Sequence, residues 1–481
     1  MSDIGKSAVT GTIWVTIDRF SYMFMQFIVN LILARLLMPD DFGAVGMLAI
    51  FISVSYTLID GGFGSALIQK KEPTNIDYST IFYWNLSFSL FLYLILFGCA
   101  PFIADYFKMP ILQGVLRMTG LILIINSFII IQNNRLRKQL AFKKLALVNF
   151  SSYLIASITA ITMAYRGYGV WSLVALQLVQ GGCSAAILWF ITRWKPNWCF
   201  SVASLRELFG FGGYLLAANI LQEICKNLQG VLIGHNFSVT QMGYYTQAYK
   251  LDNVVSYSIP QIFVQVMFPV YSSVQDDRER LKNMVAMNIR IISLCVFPFT
   301  GILIILAEPL ITLLFGAKWL PSVPYFQILC VGGFFVSLQN INFYAVASQG
   351  KSRSLFNWSF YKWLMLILLM LVGMNWGMHG LLWGMVLSSL NIYLVNAYLV
   401  SKYIGYSIGK QLLSICPVAL SVAISVGIAL FLLEEFHFPF ILDAVVFLII
   451  YLSICVTFKL IVFSEVAAFL KQLLRRFLVH S

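Results

Sequence analysis

The chain has 481 residues, of which 60% are hydrophobic and 11% are charged. A soluble domain carries about a quarter of its residues as Asp, Glu, Lys or Arg, so this composition excludes a large water-exposed surface. At about 20 apolar residues per spanning helix, the length accommodates roughly 12 to 15 spans and leaves little room for an extramembrane catalytic domain. The composition therefore predicts an all-α integral membrane protein.

The chain has 32 Lys and Arg residues and 19 Asp and Glu residues, which gives a net charge of +13. In a soluble protein this charge would indicate nucleic acid as a partner, but in a membrane protein positive charge collects in cytoplasmic loops. We therefore expect no nucleic-acid partner. The eight cysteines are scattered and form no C-x-x-C pair, which favours small buried hydrophobes over disulfides or a metal site.

Fourteen apolar runs along the chain are long enough to be spanning helices. They cover residues 10–38, 42–67, 79–104, 111–132, 145–165, 168–191, 208–235, 242–271, 287–315, 323–348, 355–374, 381–400, 412–433 and 438–463. The connections between them alternate without a break between rich and poor in Lys and Arg, as expected when the count of spans is right. This pattern predicts that both termini are cytoplasmic and that residues 464–481 form an amphipathic helix on the cytoplasmic leaflet.

An internal repeat relates the two halves of the chain. The segment LILARLLMPDDFG, which starts at Leu31, faces VLIGHNFSVTQMG, which starts at Val231, at a constant offset of 200 residues. Each copy ends one span, crosses a short polar link and reaches a glycine that begins the next span. Six spans per half is an even number, so the halves share one orientation and are related by a pseudo-twofold axis along the membrane normal. We therefore expect an N-lobe over 1–200, a C-lobe over 201–405, two additional spans over 406–463 and the amphipathic helix over 464–481.

Several predicted spans carry ionisable residues at mid-depth, where an ionised group costs a few kcal/mol unless it has a partner, a wet cavity or a function. One interpretation is pairing within the protein, for example of Glu223 with Lys226 on one helix face. The other is a hydrated central cavity whose cations bind an anionic substrate. The candidate substrate-binding residues are Arg19, Asn219, Gln222, Lys226, Asn227, Tyr249 and Lys250, and the candidates for coupling or charge pairing are Asp18, Asp60, Glu223 and Asp252.

No motif for phosphate-bond or metal chemistry is visible in the sequence. The four histidines are isolated, no H-E-x-x-H occurs, and GYSIGK at Gly405 has the wrong spacing for a phosphate-binding loop. We therefore expect a protein that is not an enzyme, binds no metal and uses no cofactor.

Five segments of the chain resemble Wzx-type polysaccharide flippases, a branch of the multidrug/oligosaccharidyl-lipid/polysaccharide (MOP) exporter superfamily. They are LARLLMPDDFG from Leu33, DGGFGSALIQKKEP from Asp60, MGYYTQAYKL from Met242, FPVYSSVQDDRERLK from Phe268 and LFGAKWLPSVPYFQIL from Leu314. The resemblance is strongest to the colanic acid and teichuronic acid exporter subgroup, and it extends over nearly the whole chain.

This resemblance implies a MOP/MATE-like fold of 14 transmembrane helices, with two six-helix lobes and two extra helices. It implies a flippase that moves an undecaprenyl-pyrophosphate-linked oligosaccharide repeat unit from the cytoplasmic to the periplasmic leaflet of a bacterial inner membrane by alternating access. The product would be lipopolysaccharide O-antigen, capsule or exopolysaccharide. Expected partners are the lipid-linked oligosaccharide, membrane lipids, H⁺ or Na⁺ as a coupling ion, and polysaccharide polymerase machinery. The alternatives are a MATE-like exporter of small molecules and a membrane polysaccharide polymerase or ligase.

Overall fold

The computed structural model of the chain describes residues 3–70, 72–258, 267–268, 270–436 and 440–457. All regular secondary structure in these residues is helical, which agrees with the predicted all-α class. The amphipathic helix predicted over 464–481 lies outside the described residues. Packing divides the chain into two compact units, Met1–Thr246 and Gln247–Ser481. The predicted lobe boundaries at residues 200 and 405 stay predictions.

Unit 1 is built from eight complete helices and the first half of a ninth. They are α1 (Asp3–Leu36), α2 (Pro39–Asp60), α3 (Phe63–Gln69), α4 (Asn75–Tyr106), α5 (Ile111–Lys138), α6 (Phe142–Tyr165), α7 (Val170–Thr192), α8 (Val202–Asn236) and α9 (Val239–Asn253). Within this unit, α5 packs against α4 and α7, α6 packs against α1 and α7, and α2 packs against α8.

Unit 2 contains the second half of α9 and seven further helices. They are α10 (Arg278–Ile305), α11 (Ala307–Phe315), α12 (Val323–Ser348), α13 (Ser352–Gly373), α14 (Gly377–Ile404), α15 (Ile408–Phe436) and α16 (Phe440–Thr457). Its core joins α10, α12, α14, α15 and α16 through fully buried side chains such as Phe297, Tyr393 and Phe447. A π-helical turn, Val254–Ser258, follows α9 directly.

Most of these helices have the length and the apolar composition of membrane-spanning helices. Among the described residues, nine helical segments are long and apolar enough to cross a membrane, and the longest, Arg353–Ile404, covers α13 from its second residue and all of α14. A multi-pass membrane protein is therefore confirmed. Each of the fourteen predicted spans overlaps a helix in the described residues, although 242–271 and 438–463 extend beyond those residues and 42–67 and 287–315 are each divided between two helices. The number of spans that cross the membrane stays a prediction.

The second predicted span is broken at the glycines that follow Asp60. α2 ends at Asp60, Gly61 and Gly62 have φ values of 57° and 71°, and α3 begins at Phe63. Glycine adopts this left-handed conformation without the steric cost that a Cβ atom would add. The sequence predicted one apolar span here, in which the glycines after Asp60 serve either close helix packing or a hinge. An apolar run does not distinguish these two roles, because it does not reveal a local change in backbone handedness.

Asp77 connects three helices at one end of unit 1 and is only 3% exposed. Its carboxylate accepts a hydrogen bond from the Thr74 backbone N–H at 2.8 Å, and Thr74 Oγ1 accepts from the Asp77 N–H at 3.2 Å. This reciprocal capping box begins α4. The same carboxylate accepts from the hydroxyl of Ser204 on α8 and lies 3.1 Å from the Nζ of Lys70, which follows α3. One buried carboxylate therefore holds the ends of α3, α4 and α8 together.

Two lysines complete the attachment of α3. Lys70 Nζ also lies 3.0 Å from the Glu207 carboxylate on α8, and this hydrogen bond raises the pKa of Lys70 above its ordinary value. Lys138 on α5 donates to the backbone carbonyls of Leu67, Ile68 and Lys70. A cation at these carbonyls satisfies acceptors that a helix C-terminus leaves open. The short helix α3 is thus held by α4, α5 and α8.

Candidate functional site

Two adjoining cavities lie inside unit 1, among α2, α5, α6, α7 and α8. The first has a volume of about 450 Å³ and the second of about 280 Å³. Ile122, Asn126 and Gln177 line both cavities, so the two spaces meet at these side chains. The polar lining consists of Ser53, Tyr56, Thr57, Thr119, Asn126, Asn133, Asn149, Gln177, Gln180, Ser184 and Glu223.

Three of the lining amides have free hydrogen-bonding capacity. Asn126, Asn133 and Gln177 are half-buried, and none makes a side-chain hydrogen bond to another residue that the structure describes. Each amide offers two N–H donors and a carbonyl oxygen with two lone pairs. The shared wall of the two cavities and the wall of the second cavity therefore present donors and acceptors that only water or a bound molecule can satisfy.

The other two lining amides connect the second cavity to α1. Asn149 Nδ2 on α6 donates to both oxygens of the half-buried Asp18 carboxylate, at 3.2 and 3.4 Å. Gln180 Nε2 on α7 donates to the Tyr22 hydroxyl at 2.7 Å. Asp18 was predicted from its depth in the first span, and the structure places it beside a cavity wall with an amide as its hydrogen-bond partner.

A second carboxylate, that of Glu223 on α8, lines the first cavity. Asn227 Nδ2 donates to Glu223 Oε2 at 3.0 Å and lies 3.1 Å from Ser53 Oγ on α2. No ion pair joins Glu223 to Lys226 in the part of the chain that the structure describes. Glu223 lines the cavity, and Asn227 fixes its carboxylate against α2.

The remaining predicted residues of unit 1 lie outside the lining of these two cavities. Arg19, Gln222 and Lys226 are exposed, which in a membrane protein means accessible to lipid or to a water-filled space, and Asn219 is half-buried. Asp60 is half-buried at the end of α2, where the absence of a side chain on Gly64 leaves room for its carboxylate. A substrate-binding role for these residues stays a prediction.

The predicted residues of α9 lie in unit 2. Lys250 is exposed, Tyr249 is half-buried and Asp252 is buried. Ser256, within the π-helical turn, donates its hydroxyl to Asp252 Oδ1 at 2.5 Å. A β-carbon on Gly333 of α12 would overlap this serine side chain. The close approach of α12 thus encloses Asp252, and π-helical turns recur at functional sites.

Sequence reasoning missed the neutral amides of the cavities because it considered polar residues only where they accompany ionisable residues at mid-depth, as Asn219 and Asn227 accompany Glu223. The sequence does contain a signal, since Asn126 and Asn133 are seven residues apart and Gln177 and Gln180 are three apart, spacings that place each pair on one helix face. Amides repeated at these spacings on two predominantly apolar helices indicate a polar strip on each helix.

Lys362, in the middle of α13, is a second residue that sequence reasoning missed. It is 6% exposed, its Nζ donates to Asn396 Oδ1 on α14 at 2.5 Å, and it lies 5.9 Å from the ring centroid of Phe343 on α12. No carboxylate forms an ion pair with it within the described residues. An ammonium group with neutral partners at this depth is costly to hold.

We expect Lys362→Met to leave the thermal unfolding temperature of the detergent-purified protein unchanged or to raise it. Methionine keeps the length of the side chain and removes the cost of a buried cation, worth up to about 3 kcal/mol on insertion scales. This gain offsets the about 1–3 kcal/mol lost when the buried Asn396 Oδ1 is left without its donor. Lys402→Met provides the control, because that lysine lies in the last turn of α14. A lower unfolding temperature for Lys362→Met than for the control would show that the ammonium stabilises the hairpin of α13 and α14.

The two copies of the internal repeat contact one another directly. A β-carbon on Gly43 would overlap the carbonyl oxygen of Val239, and a β-carbon on Gly243 would overlap the carbonyl oxygen of Pro39. Between these contacts, Thr240 Oγ1 donates to Asp40 Oδ1 at 2.6 Å. The first turns of α2 and α9 therefore cross so closely that their backbones are in contact.

This crossing has the reciprocal form that a two-fold axis produces, in which residue i contacts j and the counterpart of i contacts the counterpart of j. Glycine is required at both positions because only a residue without a side chain allows the two backbones to approach so closely. The repeat predicted from the sequence at an offset of 200 residues thus coincides with a physical contact between its copies.

Comparisons with known proteins agree with this architecture. Residues 32–324 match the family model described as "Polysaccharide biosynthesis protein". The chain is 24% identical over 361 residues to the teichuronic acid biosynthesis protein TuaB of Bacillus subtilis (strain 168), covering 74% of each chain. It is 23% identical over 422 residues to the lipopolysaccharide biosynthesis protein WzxC of Escherichia coli (strain K12), covering 85% of this chain and 84% of WzxC.

Two solved structures share the fold. The lipid II flippase MurJ in an inward closed conformation superposes with a TM-score of 0.72 at 14% identity, covering 94% of this chain and 98% of MurJ. A multidrug resistance MATE family transporter of the MOP superfamily, in an inward-facing conformation, superposes with a TM-score of 0.64 at 14% identity, covering 81% and 98%. The predicted MOP/MATE-like fold is therefore confirmed.

Proposed function

Because this chain belongs to the polysaccharide biosynthesis protein family, we propose that it is a flippase for an undecaprenyl-pyrophosphate-linked oligosaccharide repeat unit. The substrate would cross from the cytoplasmic to the periplasmic leaflet of a bacterial inner membrane, in which both termini of the protein are cytoplasmic. The names of the relatives and the fold shared with a lipid II flippase support this function.

The observation that carries the proposal is a pair of cavities with polar side chains, which lie between membrane-spanning helices. Sugars and pyrophosphate cannot enter hydrocarbon without losing their hydrogen bonds to water, and each unsatisfied polar group costs several kcal/mol there. The adjoining cavities of unit 1 offer open amides at Asn126, Asn133 and Gln177 between helices that are apolar overall. Such an interior replaces water for the head group while the polyprenyl chain stays in lipid.

The pyrophosphate requires cations, and the candidates are Arg19, Lys226 and Lys250. All three are exposed, so each side chain is accessible to a substrate that approaches from lipid or from a water-filled space. Point charges suit this role because they attract a phosphate without a fixed bidentate geometry. The carboxylates of Asp18, Asp60, Glu223 and Asp252 are the corresponding candidates for coupling to H⁺ or Na⁺, and polysaccharide polymerase machinery is a candidate partner.

Transport by alternating access requires a contact that closes one side of the pathway and later separates. The crossing of α2 and α9 at Gly43 and Gly243 supports such a role, because the two repeat copies meet there in close backbone contact beside the hydrogen bond from Thr240 to Asp40. The positive-inside pattern predicts that this crossing lies at the periplasmic side.

Reconstitution into liposomes tests the proposal. Purified protein is inserted into vesicles that contain undecaprenyl-pyrophosphate-linked repeat units, and the fraction of glycan accessible to an external glycosidase is followed with time. We expect the protein to speed transfer between leaflets at least about tenfold over protein-free vesicles. The double variant Lys226→Ala/Lys250→Ala should slow this transfer, and Lys402→Ala is the control. Transfer no faster than in protein-free vesicles would refute the function.

Full transfer by the double variant, at an equal amount of inserted protein, would refute the cationic role of those two lysines while leaving the function intact.

A further inference from the structure

We propose that the paired cavities of unit 1 form a subsite for the uncharged sugars of the substrate, separate from the place that holds the pyrophosphate. This inference rests on the proposed function and adds to it which part of the substrate enters these cavities. We refer to the subsite as the amide cleft, defined by the five amide side chains that line it, Asn126, Asn133, Asn149, Gln177 and Gln180.

The chemistry of the amide cleft matches that of a sugar. A hydroxyl group both donates and accepts, and so does a carboxamide, so an amide can pair with a sugar hydroxyl in either direction. Asn126, Asn133 and Gln177 have this capacity open in the described structure, and the hydroxyls of Thr119 and Ser184 add further groups of the same kind. The apolar remainder of the walls, with Tyr56, suits the C–H faces of a sugar ring.

The charge of the amide cleft disfavours the pyrophosphate. Neither cavity is lined by a lysine or an arginine among the described residues, and Glu223 is the only carboxylate in the lining. Asp18 lies just behind the wall, 3.2 Å from Asn149 Nδ2. Two like charges 4 Å apart repel by about 4 kcal/mol at an effective dielectric constant of 20, so an ionised Glu223 in the first cavity and an ionised Asp18 beside the second disfavour an anionic group.

The architecture of the amide cleft resembles a preformed site rather than a packing defect. Small-molecule sites have volumes of about 300–1,000 Å³ and combine apolar walls with a few fixed polar groups. The two spaces measure about 450 and 280 Å³ and meet at Asn126 and Gln177. Asn149 and Gln180 are fixed by Asp18 and Tyr22, so the wall groups are held in place while the groups at the junction stay available.

A competition measured by native mass spectrometry tests this subsite. Detergent-purified protein is offered equal concentrations of undecaprenyl pyrophosphate and of the same lipid carrying a repeat unit extracted from a polysaccharide-producing strain. We expect wild-type protein to bind the sugar-bearing lipid at least about tenfold more tightly. Each amide that bonds a hydroxyl contributes about 2- to 10-fold, so Asn126→Ala/Gln177→Ala should lose most of this preference and still bind undecaprenyl pyrophosphate.

The control variant is Asn236→Ala, which makes the same chemical change at an exposed amide whose side chain bonds only within its own helix, to the Leu232 carbonyl at 2.9 Å. It should keep the wild-type preference. A second measurement needs no variant: the released repeat-unit oligosaccharide, which has no phosphate, should compete with the sugar-bearing lipid for wild-type protein and not with undecaprenyl pyrophosphate.

The outcomes separate the two proposals. Equal binding of both lipids by wild-type protein, or an unchanged preference in the double variant, would overturn the amide cleft and leave the flippase function standing. Failure of wild-type protein to bind either lipid would overturn the function and the subsite together. Competition by the free oligosaccharide against both lipids alike would also overturn a separate sugar site.

Discussion

Replacement of Gly43 or Gly243 by valine is expected to reduce oligosaccharide transfer in liposomes by at least about tenfold, because the new side chain would overlap the backbone of the opposing helix. At Gly43 the obstacle is the carbonyl of Val239, and at Gly243 it is the carbonyl of Pro39. Backbone atoms cannot move aside as a flexible side chain can. We therefore expect either variant to force α2 and α9 apart at this crossing and so to impair the closure proposed for it.

The matched control is Gly98→Val in α4, where a β-carbon would meet no atom within 4 Å. It makes the same change in helix propensity and bulk at a glycine with open space, so its transfer rate should stay within about twofold of wild type. If Gly43→Val transfers oligosaccharide as well as Gly98→Val does, the crossing is not needed for transport.

A reversible cross-link tests whether α2 and α9 must separate at this crossing during transport. In a chain whose eight native cysteines are replaced by alanine, Asp40→Cys and Thr240→Cys bring two thiols to the position of the present hydrogen bond, whose oxygens are 2.6 Å apart. Oxidation should stop transfer and reduction should restore it. Undiminished transfer by the cross-linked protein would contradict an alternating-access role for this contact.

Asp77→Ala is expected to destabilise the folded protein by about 2–4 kcal/mol. The substitution removes the Asp77 half of the capping box that begins α4, worth up to about 1 kcal/mol, and leaves the buried Ser204 hydroxyl without its acceptor, at about 1–3 kcal/mol. Lys70 also loses its buried partner. The measurement is the midpoint of thermal or denaturant-induced unfolding of the purified protein in detergent.

Glu207→Ala is the control for Asp77→Ala, because it removes the other carboxylate bonded to Lys70. The Glu207 side chain is 63% exposed, whereas that of Asp77 is 5% exposed. An exposed ion pair contributes about 0–1 kcal/mol, so this variant should unfold close to wild type. Equal destabilisation by the two variants would show that Asp77 acts only as an ion-pair partner of Lys70 and not as a buried cap.

The helices themselves could largely be predicted from the sequence. The tenth predicted span, 323–348, has the bounds of α12, and the fourth starts at Ile111 as α5 does. In a membrane each helix satisfies its own backbone hydrogen bonds, so its existence depends on a local apolar run rather than on partners elsewhere in the chain. The break after Asp60 escaped prediction because it depends on the conformation of two glycines, which hydrophobicity does not encode.

The candidate site was only partly predictable. Depth in the membrane identified Asp18 and Glu223, and the structure places both beside the paired cavities. The amides that form most of the polar lining were not identified, because a neutral amide in an apolar run has several structural explanations until its neighbours across the helix interface are known. The same limit applies to Lys362, whose amide partner Asn396 lies on the next helix.

The sequence by itself determined the membrane setting, the repeat at an offset of 200 residues and the family resemblance, because composition, hydropathy and motif are properties of consecutive residues. Only the tertiary structure decided that Asn126 and Gln177 share one space, that Asp77 is a buried cap, and that Gly43 and Gly243 cross the opposite repeat copy. These features depend on distances between residues far apart in the chain, and such distances are set by how helices pack rather than by the pattern of any one helix.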